Sequence, residues 1–248
     1  MIAKNMERYQ IIFAYDGTQF VGSQRQANTR TVQSVLELAF QRVGWEGKSI
    51  LLAGRTDTGV HASGQVAAVD LNWKHSDDDL RNALNSNLPH DLAVSSVRKT
   101  DARFHPRFDA VSRHYRYRIY VKPNRDPLRD RYAWRIWPKP DGEILAEAAA
   151  SLVGTHDFSS FGSPTRKNGS TLRTILQSKW TAADDQWIYD VVADAFLYRM
   201  VRRMVQGQVA VGLGKFPVSD FRKAVLDGMP FPAGLASPAG LTLVEVKY

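Results

Sequence analysis

The sequence predicts an α+β protein with two similar halves and a largely antiparallel sheet. Segments with helical and with strand periodicity alternate irregularly along the chain, and many strand segments alternate between apolar and polar residues. The second half repeats the mixture of elements found in the first. We therefore predict two subdomains, residues 1–107 and residues 108–248, that share an interface.

The first half begins with a strand over residues 9–15, which ends at the turn residues Asp16 and Gly17. Apolar residues then recur at helical spacing over residues 32–43, with Thr31 as the N-cap and Gly44 as the stop. Ser76 and Asp79 are spaced as a capping box that starts a second helix, which ends at about residue 88. Three further strands are predicted, over residues 49–53, 65–71 and 92–97.

In the second half, the strand predicted over residues 111–121 has period two. Its two faces are expected to carry Tyr115, Tyr117, Ile119 and Val121 on one side and His114, Arg116, Arg118 and Tyr120 on the other. Helices are predicted over residues 144–153, 196–211 and 219–226. The remaining strands are predicted over residues 172–181, 187–193 and 241–248.

The positive charge of the chain is concentrated in one segment. Between Arg98 and Arg135 there are twelve Lys or Arg residues against four Asp residues, and this difference equals the net charge of +8 of the whole chain. Aromatic residues are interleaved with these basic residues. The combination favours a polyanion whose bases can stack, which means nucleic acid. The alternative is a solvated surface with internal salt bridges.

Composition excludes several classes of site. The chain has no cysteine, which excludes disulfides and thiolate metal sites. No apolar run is long enough to cross a membrane, and the first ten residues contain no apolar signal-peptide core. We therefore expect a cytoplasmic protein that does not associate with membranes.

Residues 53–62 read AGRTDTGVHA and form a glycine-punctuated loop between two predicted strands. Asp-Thr-Gly is also the signature of acid proteases, but those need two carboxylates that share a proton, and this chain has one copy. Arg55 close to Asp57 favours an ionised carboxylate, and the loop offers only His61 as a further metal ligand. We therefore favour metal-free nucleophilic or base chemistry at Asp57. An Asp that only hydrogen-bonds its own turn is the structural alternative.

Several motifs together resemble the bacterial tRNA pseudouridine synthase A family, and the match runs nearly end to end. The family's loop G-R-T-D-A-G-V-H-A is matched by residues 54–62, with Thr58 in place of Ala. The other matching segments are Tyr-Asp-Gly-Thr-x-Phe-x-Gly-x-Gln at 15–24, Arg-Thr-Val-Gln at 30–33, Asn-Leu-Pro at 87–89, Phe-His-x-Arg-Phe at 104–108, Arg-x-Tyr-Arg-Tyr at 113–117, His-Asp-Phe at 156–158, Phe-Leu-x-x-Met-Val-Arg at 196–202 and the closing segment 240–248.

The resemblance implies two ferredoxin-like subdomains on one continuous, mostly antiparallel sheet with helices on one face, the pseudouridine synthase fold. It also implies an active-site cleft between the two subdomains. It implies a cofactor-free homodimer without a metal that isomerises uridines 38, 39 and 40 in the anticodon stem-loop of tRNA. Its catalytic residues map to Asp57, Tyr115 and Arg202: the carboxylate, the aromatic ring that stacks on the base, and the partner that ion-pairs with the Asp. The predicted substrate contacts are Arg55, Thr56, His61, Tyr115, Arg116 and Arg203.

Some choices stay open at this level. The carboxylate can attack C6 of uracil, attack C1′ of the ribose, or remove a ribose proton. Without the resemblance, Tyr115 is more typical of a core residue and Arg202 of a surface salt bridge. A non-catalytic RNA-binding protein or RNA chaperone on the same scaffold is the main rival. The chain also departs from the family at Ser23, where Trp is usual, so that a packing or an RNA contact differs there.

Overall fold

A computed structural model describes residues 6–166, 168–232 and 234–248. The chain forms two compact units: Met1–Val111 with Leu243–Tyr248, and Ser112–Thr242. Residues 1–5, part of the N-terminus in which no signal peptide is predicted, lie outside the described residues. Within the described ranges, no helix combines the length and the apolar character that crossing a membrane requires.

The first unit is built around a sheet in the order β4 (Leu92–Lys99), β1 (Glu7–Tyr15) and β3 (His61–Leu71), with β2 (Leu51–Leu52) paired to β3 and the last strand, β10 (Leu241–Lys247), beside β3 on the other side. Its elements are β1 (Glu7–Tyr15), α1 (Val32–Arg42), β2 (Leu51–Leu52), β3 (His61–Leu71), α2 (Asp77–Asn85), β4 (Leu92–Lys99) and β10 (Leu241–Lys247). The strand β1 runs antiparallel to both β3 and β4.

In the central strand β1, odd-numbered and even-numbered side chains lie on opposite faces. Tyr9, Ile11 and Phe13 are fully buried on one face, whereas the other face carries the buried polar residue Gln10 and the half-buried Ile12. Successive side chains in a strand point to opposite faces, so the odd-numbered residues form the core side of this sheet. The same parity directs the buried Tyr15 at the end of β1 into the core, close to the loop that precedes β3.

The two helices of this unit begin at the predicted caps. Thr31 caps α1 in a reciprocal arrangement with Ser34, and Ser76 caps α2 in a capping box with Asp79. The last residue of α2, Asn85, is joined to β4 by two hydrogen bonds, since its side chain donates to the Val94 carbonyl and accepts from the Val94 N–H. These bonds fix the helix end on the strand.

The second unit contains the strand order β5-β9-β8-β7, all antiparallel, with β6 parallel to β5. Its elements are β5 (Ser112–Val121), α3 (Pro127–Asp130), β6 (Trp134–Ile136), α4 (Gly142–Ser151), β7 (Gly154–Asp157), β8 (Leu172–Ala183), β9 (Gln186–Ala193), α5 (Met200–Gly212) and α6 (Val218–Leu226).

The helix α5 lies against both α4 and α6, and two glycines permit this close packing. A side chain at Gly207 would lie 2.8 Å from the Phe221 ring of α6, and one at Gly212 would lie 3.1 Å from Leu145 of α4. A larger residue at Gly207 would require the Phe221 ring to shift, and one at Gly212 would require the Leu145 side chain to give way, so α5 is closely packed on two sides.

The predicted α+β class with mostly antiparallel strands is confirmed. The predicted helix start at Phe196 is wrong: α5 begins at Met200, because Tyr198 pairs with Ser163 and Arg199 adopts a left-handed conformation with φ 62°. The strand predicted over residues 49–53 is shortened to β2. The N–H of Ile50 instead donates to the Glu37 carboxylate of α1, at 3.1 Å.

Buried tyrosines predict a loss of stability at alkaline pH. Burial raises the pKa of Tyr15 and of Tyr189 to about 12, against about 10 for an exposed phenol. The unfolded chain loses these protons first, so unfolding becomes easier between pH 10 and 12, by on the order of 2 kcal/mol for each fully shifted tyrosine. Denaturant unfolding from pH 9 to 11.5 measures this loss, and Tyr15→Phe should remove its share. A folded protein in which every tyrosine ionises near pH 10, read from tyrosinate absorbance, contradicts it.

Candidate active site

The loop that carries Asp57 ends in a tight turn. The N–H of Val60 donates to the Asp57 carbonyl at 3.1 Å, and Gly59, the third residue of the turn, has a φ of 78°. A positive φ at this position belongs to a type II turn and strongly favours glycine. The Asp-Thr-Gly sequence is therefore a turn sequence in this chain. Asp57 occupies the first turn position and is half-buried.

Thr56, the residue before Asp57, is anchored at every polar group it carries. Its N–H donates to the Ser23 Oγ at 2.8 Å, and its carbonyl accepts from the Ser23 N–H at 3.1 Å. Its Oγ1 lies 2.8 Å from the Tyr15 hydroxyl. Thr56 itself is 8% exposed and Tyr15 is 4% exposed. Thr56 therefore serves as the point at which the loop is attached to the end of β1.

Two glycines after β1 let this segment touch the loop backbone. A side chain at Gly17 would lie 2.0 Å from the Val60 carbonyl oxygen, which is far inside contact distance. Gly22 has a φ of 75°, and a side chain there would approach the Thr56 carbonyl to 3.0 Å. The Tyr-Asp-Gly-Thr-x-Phe-x-Gly motif thus has a physical function in this chain, because its two glycines allow direct backbone contact with the Asp57 loop.

His61 is buried beneath the loop and faces the turn after β1. The N–H of Gly17 donates to its Nδ1 at 3.0 Å, so Nδ1 is the acceptor in this bond. The carboxylate of Asp16 lies 3.2 Å from the same Nδ1. Only 4% of His61 is exposed, so in this structure it contacts the protein.

Arg55 is exposed, in contrast to its neighbours Thr56 and His61. The carbonyl of Gly54, which precedes it, accepts a hydrogen bond of 3.1 Å from the buried Gln65 side chain of β3. The backbone is therefore held on both sides of Arg55 while its side chain faces solvent. Of the predicted contacts in the first unit, only Arg55 and Asp57 are open to an incoming ligand.

In the second unit, Tyr115 lies on β5, opposite Val191 of β9. Its ring packs edge-on against Phe196, with 5.1 Å between the ring centroids, and 9% of the residue is exposed. Arg116 points to the other face of the strand, where it donates to both carboxylate oxygens of Asp190 at 2.9 and 3.3 Å. The structure therefore separates these two predicted residues by strand face.

Arg202 is a buried cation near the start of α5, with 8% of the residue exposed. Its Nε donates to the Ala236 carbonyl at 2.8 Å, and the Ala236 N–H donates back to the Arg202 carbonyl at 3.3 Å. Burial raises the pKa of the neighbouring Tyr117 well above 10, and the Arg202 charge opposes that rise.

Arg203 is half-buried on the same helix. The left-handed Arg199 just before α5 sets where this helix begins, and such a backbone outlier is often found at functional sites.

Part of the basic segment from Arg98 to Arg135 is neutralised by aspartates in the second unit. Arg129 pairs with Asp185 at 2.7 Å, and Arg125 pairs with Asp130 at 3.2 Å. These pairs are at least partly exposed and contribute little to stability. They show that the salt-bridged alternative describes part of this segment.

The sequence predicted that the Asp57 loop is functional, but it did not predict which residues hold the loop in place. Tyr15 entered only as part of a motif, and its hydrogen bond to Thr56 has no signal in the spacing. Ser23 entered as a departure from the family pattern, with a packing or RNA contact in question. Because Ser23 is fully buried, the structure assigns it to packing against the loop.

Comparison with known proteins identifies related chains over nearly the whole length. A family model described as tRNA pseudouridine synthase matches residues 11–109 and 148–248, one block in each half. The tRNA pseudouridine synthase A of Chloroflexus aurantiacus is 39% identical, over 98% of this chain and 89% of that protein. The proteins of the same name from Colwellia psychrerythraea and Xanthobacter autotrophicus are 37% and 40% identical, over 97% and 98% of this chain and 93% and 100% of theirs.

The contact between Gly17 and Val60 predicts that Gly17→Ala disturbs the Asp57 loop. The added methyl group meets a backbone carbonyl that cannot rotate away, so the free energy of unfolding should fall by about 2 kcal/mol or more. Gly44→Ala is the matched control, since it strains a φ of 92° but meets nothing within 4 Å, which costs about 1 kcal/mol. Urea unfolding and the Val60 amide shift in NMR spectra report both effects. An unchanged Val60 shift in Gly17→Ala contradicts the contact.

Proposed function

The chain belongs to the tRNA pseudouridine synthase family and is an isomerase that acts on tRNA, and from this premise we propose its target and its chemistry. The proposed reaction converts uridine to pseudouridine at positions 38, 39 and 40 of the anticodon stem-loop. Asp57 is the reacting carboxylate, and no cofactor takes part. The observation that carries this proposal is the position of Asp57, half-buried at the first position of a turn whose preceding residue is anchored at every polar group.

The isomerisation needs no oxidant, reductant or group donor. The N1–C1′ glycosidic bond breaks, the uracil turns, a C5–C1′ bond forms, the C5 proton leaves to water, and N1 takes up a proton from water. Atoms, electrons and protons therefore balance, with water exchanging one proton for another. What the enzyme must supply is a group that opens the glycosidic bond and a site that retains the detached base. Attack at C6, attack at C1′ and removal of a ribose proton all require the same ionised carboxylate, which is the role proposed for Asp57.

A rigid backbone matters for this chemistry because the carboxylate acts on a single atom of a flipped nucleotide. Small displacements of a reacting group cost large factors in rate. Thr56 on one side of Asp57 and the Val60 N–H on the other restrict the backbone to one arrangement. The backbone therefore holds the Cα of Asp57 in one position, from which its side chain reaches the substrate. This supports the assignment of Asp57 as the reacting group.

Tyr115 and Arg202 complete the proposed catalytic set. The ring of Tyr115 is proposed to stack on the uracil, and its contact with Phe196 restricts the ring orientation in advance. Arg202 is proposed to supply the positive charge that keeps Asp57 ionised and aimed. A buried guanidinium requires acceptors, and the Ala236 carbonyl accounts for one of its donors.

The remaining substrate contacts stay predictions. Arg55 is exposed and lies two residues before Asp57, and its proposed role is to enter the space left by the flipped nucleotide. Thr56 and His61 are proposed to act on the substrate through the loop that they support. Arg116 and Arg203 are proposed to contribute charge to backbone binding, together with the basic segment.

We also propose that the enzyme works as a homodimer in the cytoplasm. One subunit of this size covers only part of a tRNA, so that a second subunit would extend the charged surface along the molecule. The chain has no cysteine, which fits a reducing compartment, because disulfide bonds rarely form there.

Asp57→Asn tests the reaction and the reacting group together. Unmodified tRNA transcripts carry tritium at uracil C5, and formation of the C5–C1′ bond releases it to water. Wild-type protein should release tritium, and Asp57→Asn should lower the rate at least a thousandfold because the amide is neither a nucleophile nor a base. Filter binding should give a similar Kd for both proteins.

Transcripts that differ at positions 38, 39 and 40 identify the target uridines. A transcript with cytidine at positions 38, 39 and 40 should bind but release no tritium, and restoring one uridine should restore release. Release that persists in the cytidine transcript overturns the assignment of positions. Tight binding without release from any tRNA by wild-type protein would support the rival, an RNA-binding protein without catalysis.

A further inference from the structure

Ser23 holds the residue before Asp57 by two hydrogen bonds of different kinds. Its backbone N–H donates to the Thr56 carbonyl at 3.1 Å, and its side-chain Oγ accepts from the Thr56 N–H at 2.8 Å. In an ordinary strand pair, both bonds would come from the backbone. Here the hydroxyl replaces a backbone carbonyl, so one half of this link depends on the side chain at position 23.

Burial around Ser23 limits which groups can accept the hydrogen bond from the Thr56 N–H. Ser23 is fully buried, and Thr56 is 8% exposed. Water therefore has little access to the Thr56 N–H, which needs an acceptor from the protein. The left-handed Gly22 brings the segment close to the Thr56 carbonyl, which puts a short side chain within reach.

The link acts on the peptide that joins Thr56 to Asp57. The oxygen of that peptide is the Thr56 carbonyl, which Ser23 holds, and its nitrogen belongs to Asp57. Because the peptide is planar, fixing its oxygen and the preceding N–H also fixes the direction in which the chain enters Asp57. On the far side, the bond from the Val60 N–H to the Asp57 carbonyl fixes the exit.

The side chain at position 23 decides whether the Thr56 N–H has this acceptor. The family that the chain resembles usually has Trp at this position, and an indole offers a donor but no acceptor. A Trp therefore cannot make the bond that Ser23 Oγ makes to the Thr56 N–H. The hydroxyl link therefore depends on a side chain at position 23 that can accept a hydrogen bond.

We infer that Ser23 is a positioning residue for the isomerisation, which orients Asp57 through the Thr56 backbone without touching the substrate. The inference rests on the proposed function of Asp57. It assigns to Ser23 an effect on turnover that exceeds its effect on tRNA binding. A residue that only filled space would affect folding and leave turnover per folded molecule unchanged.

Three variants separate these roles. Ser23→Ala removes the acceptor, and Ser23→Cys retains the approximate volume but offers a weaker sulfur acceptor. Ser76→Ala is the matched control, since Ser76 Oγ also accepts a backbone N–H, that of Asp79 at 3.1 Å, in the same unit but at the start of α2. Each protein is assayed for tritium release at saturating tRNA, for tRNA Kd and for thermal unfolding.

We expect kcat to fall about tenfold to a hundredfold in Ser23→Ala and by a smaller factor in Ser23→Cys, with Kd within about twofold of wild type. Ser76→Ala should unfold at a lower temperature but retain the wild-type kcat. Equal kcat in all folded proteins, Ser23→Ala included, overturns the inference and leaves the proposed function intact. No release by wild-type protein overturns both. If Ser23→Ala does not fold, the comparison of Ser23→Cys with wild type decides.

Discussion

The attachment of Thr56 to the end of β1 is the interaction on which the candidate site depends. A loop with glycines at 54 and 59 has many conformations available, and fixing each residue costs conformational entropy. Ser23 and Tyr15 offset this cost by binding all the polar groups of Thr56 in a place with little access to water. The motif after β1 and the loop before β3 are far apart in sequence, yet they form one structural element.

The same principle, a polar group buried with its partners, recurs in the second unit. Arg202 is buried next to Ala236, and Tyr117 donates its hydroxyl proton to the Ser237 carbonyl at 2.7 Å. Both bonds join a regular element to the segment that precedes β10. Buried polar groups are costly unless they are satisfied, so such contacts specify one arrangement of the backbone.

The sequence predicted regular elements well where local physics decides them. The strand β1, the helix α1 after Thr31 and the helix α2 after Ser76 follow from periodicity and capping. Asp57 was recognisable because its loop is a motif. The start of α5 was not predictable, because Arg199 adopts a left-handed conformation that its side chain does not favour. The function of Ser23 depends on a contact 33 residues away, which no local pattern contains.

A rigid backbone at Thr56 and Asp57 is what the proposed chemistry requires, and hydrogen exchange of single amides, followed by NMR in the unliganded protein, tests this rigidity most directly. The Thr56 N–H is bound to a buried hydroxyl, so it should exchange as slowly as the amides within β3, through the same large-scale opening. The Val60 N–H, which donates to the Asp57 carbonyl, should also be protected. Exchange of the Thr56 amide at the rate of an unstructured chain would mean that the loop is not held, and would contradict the account.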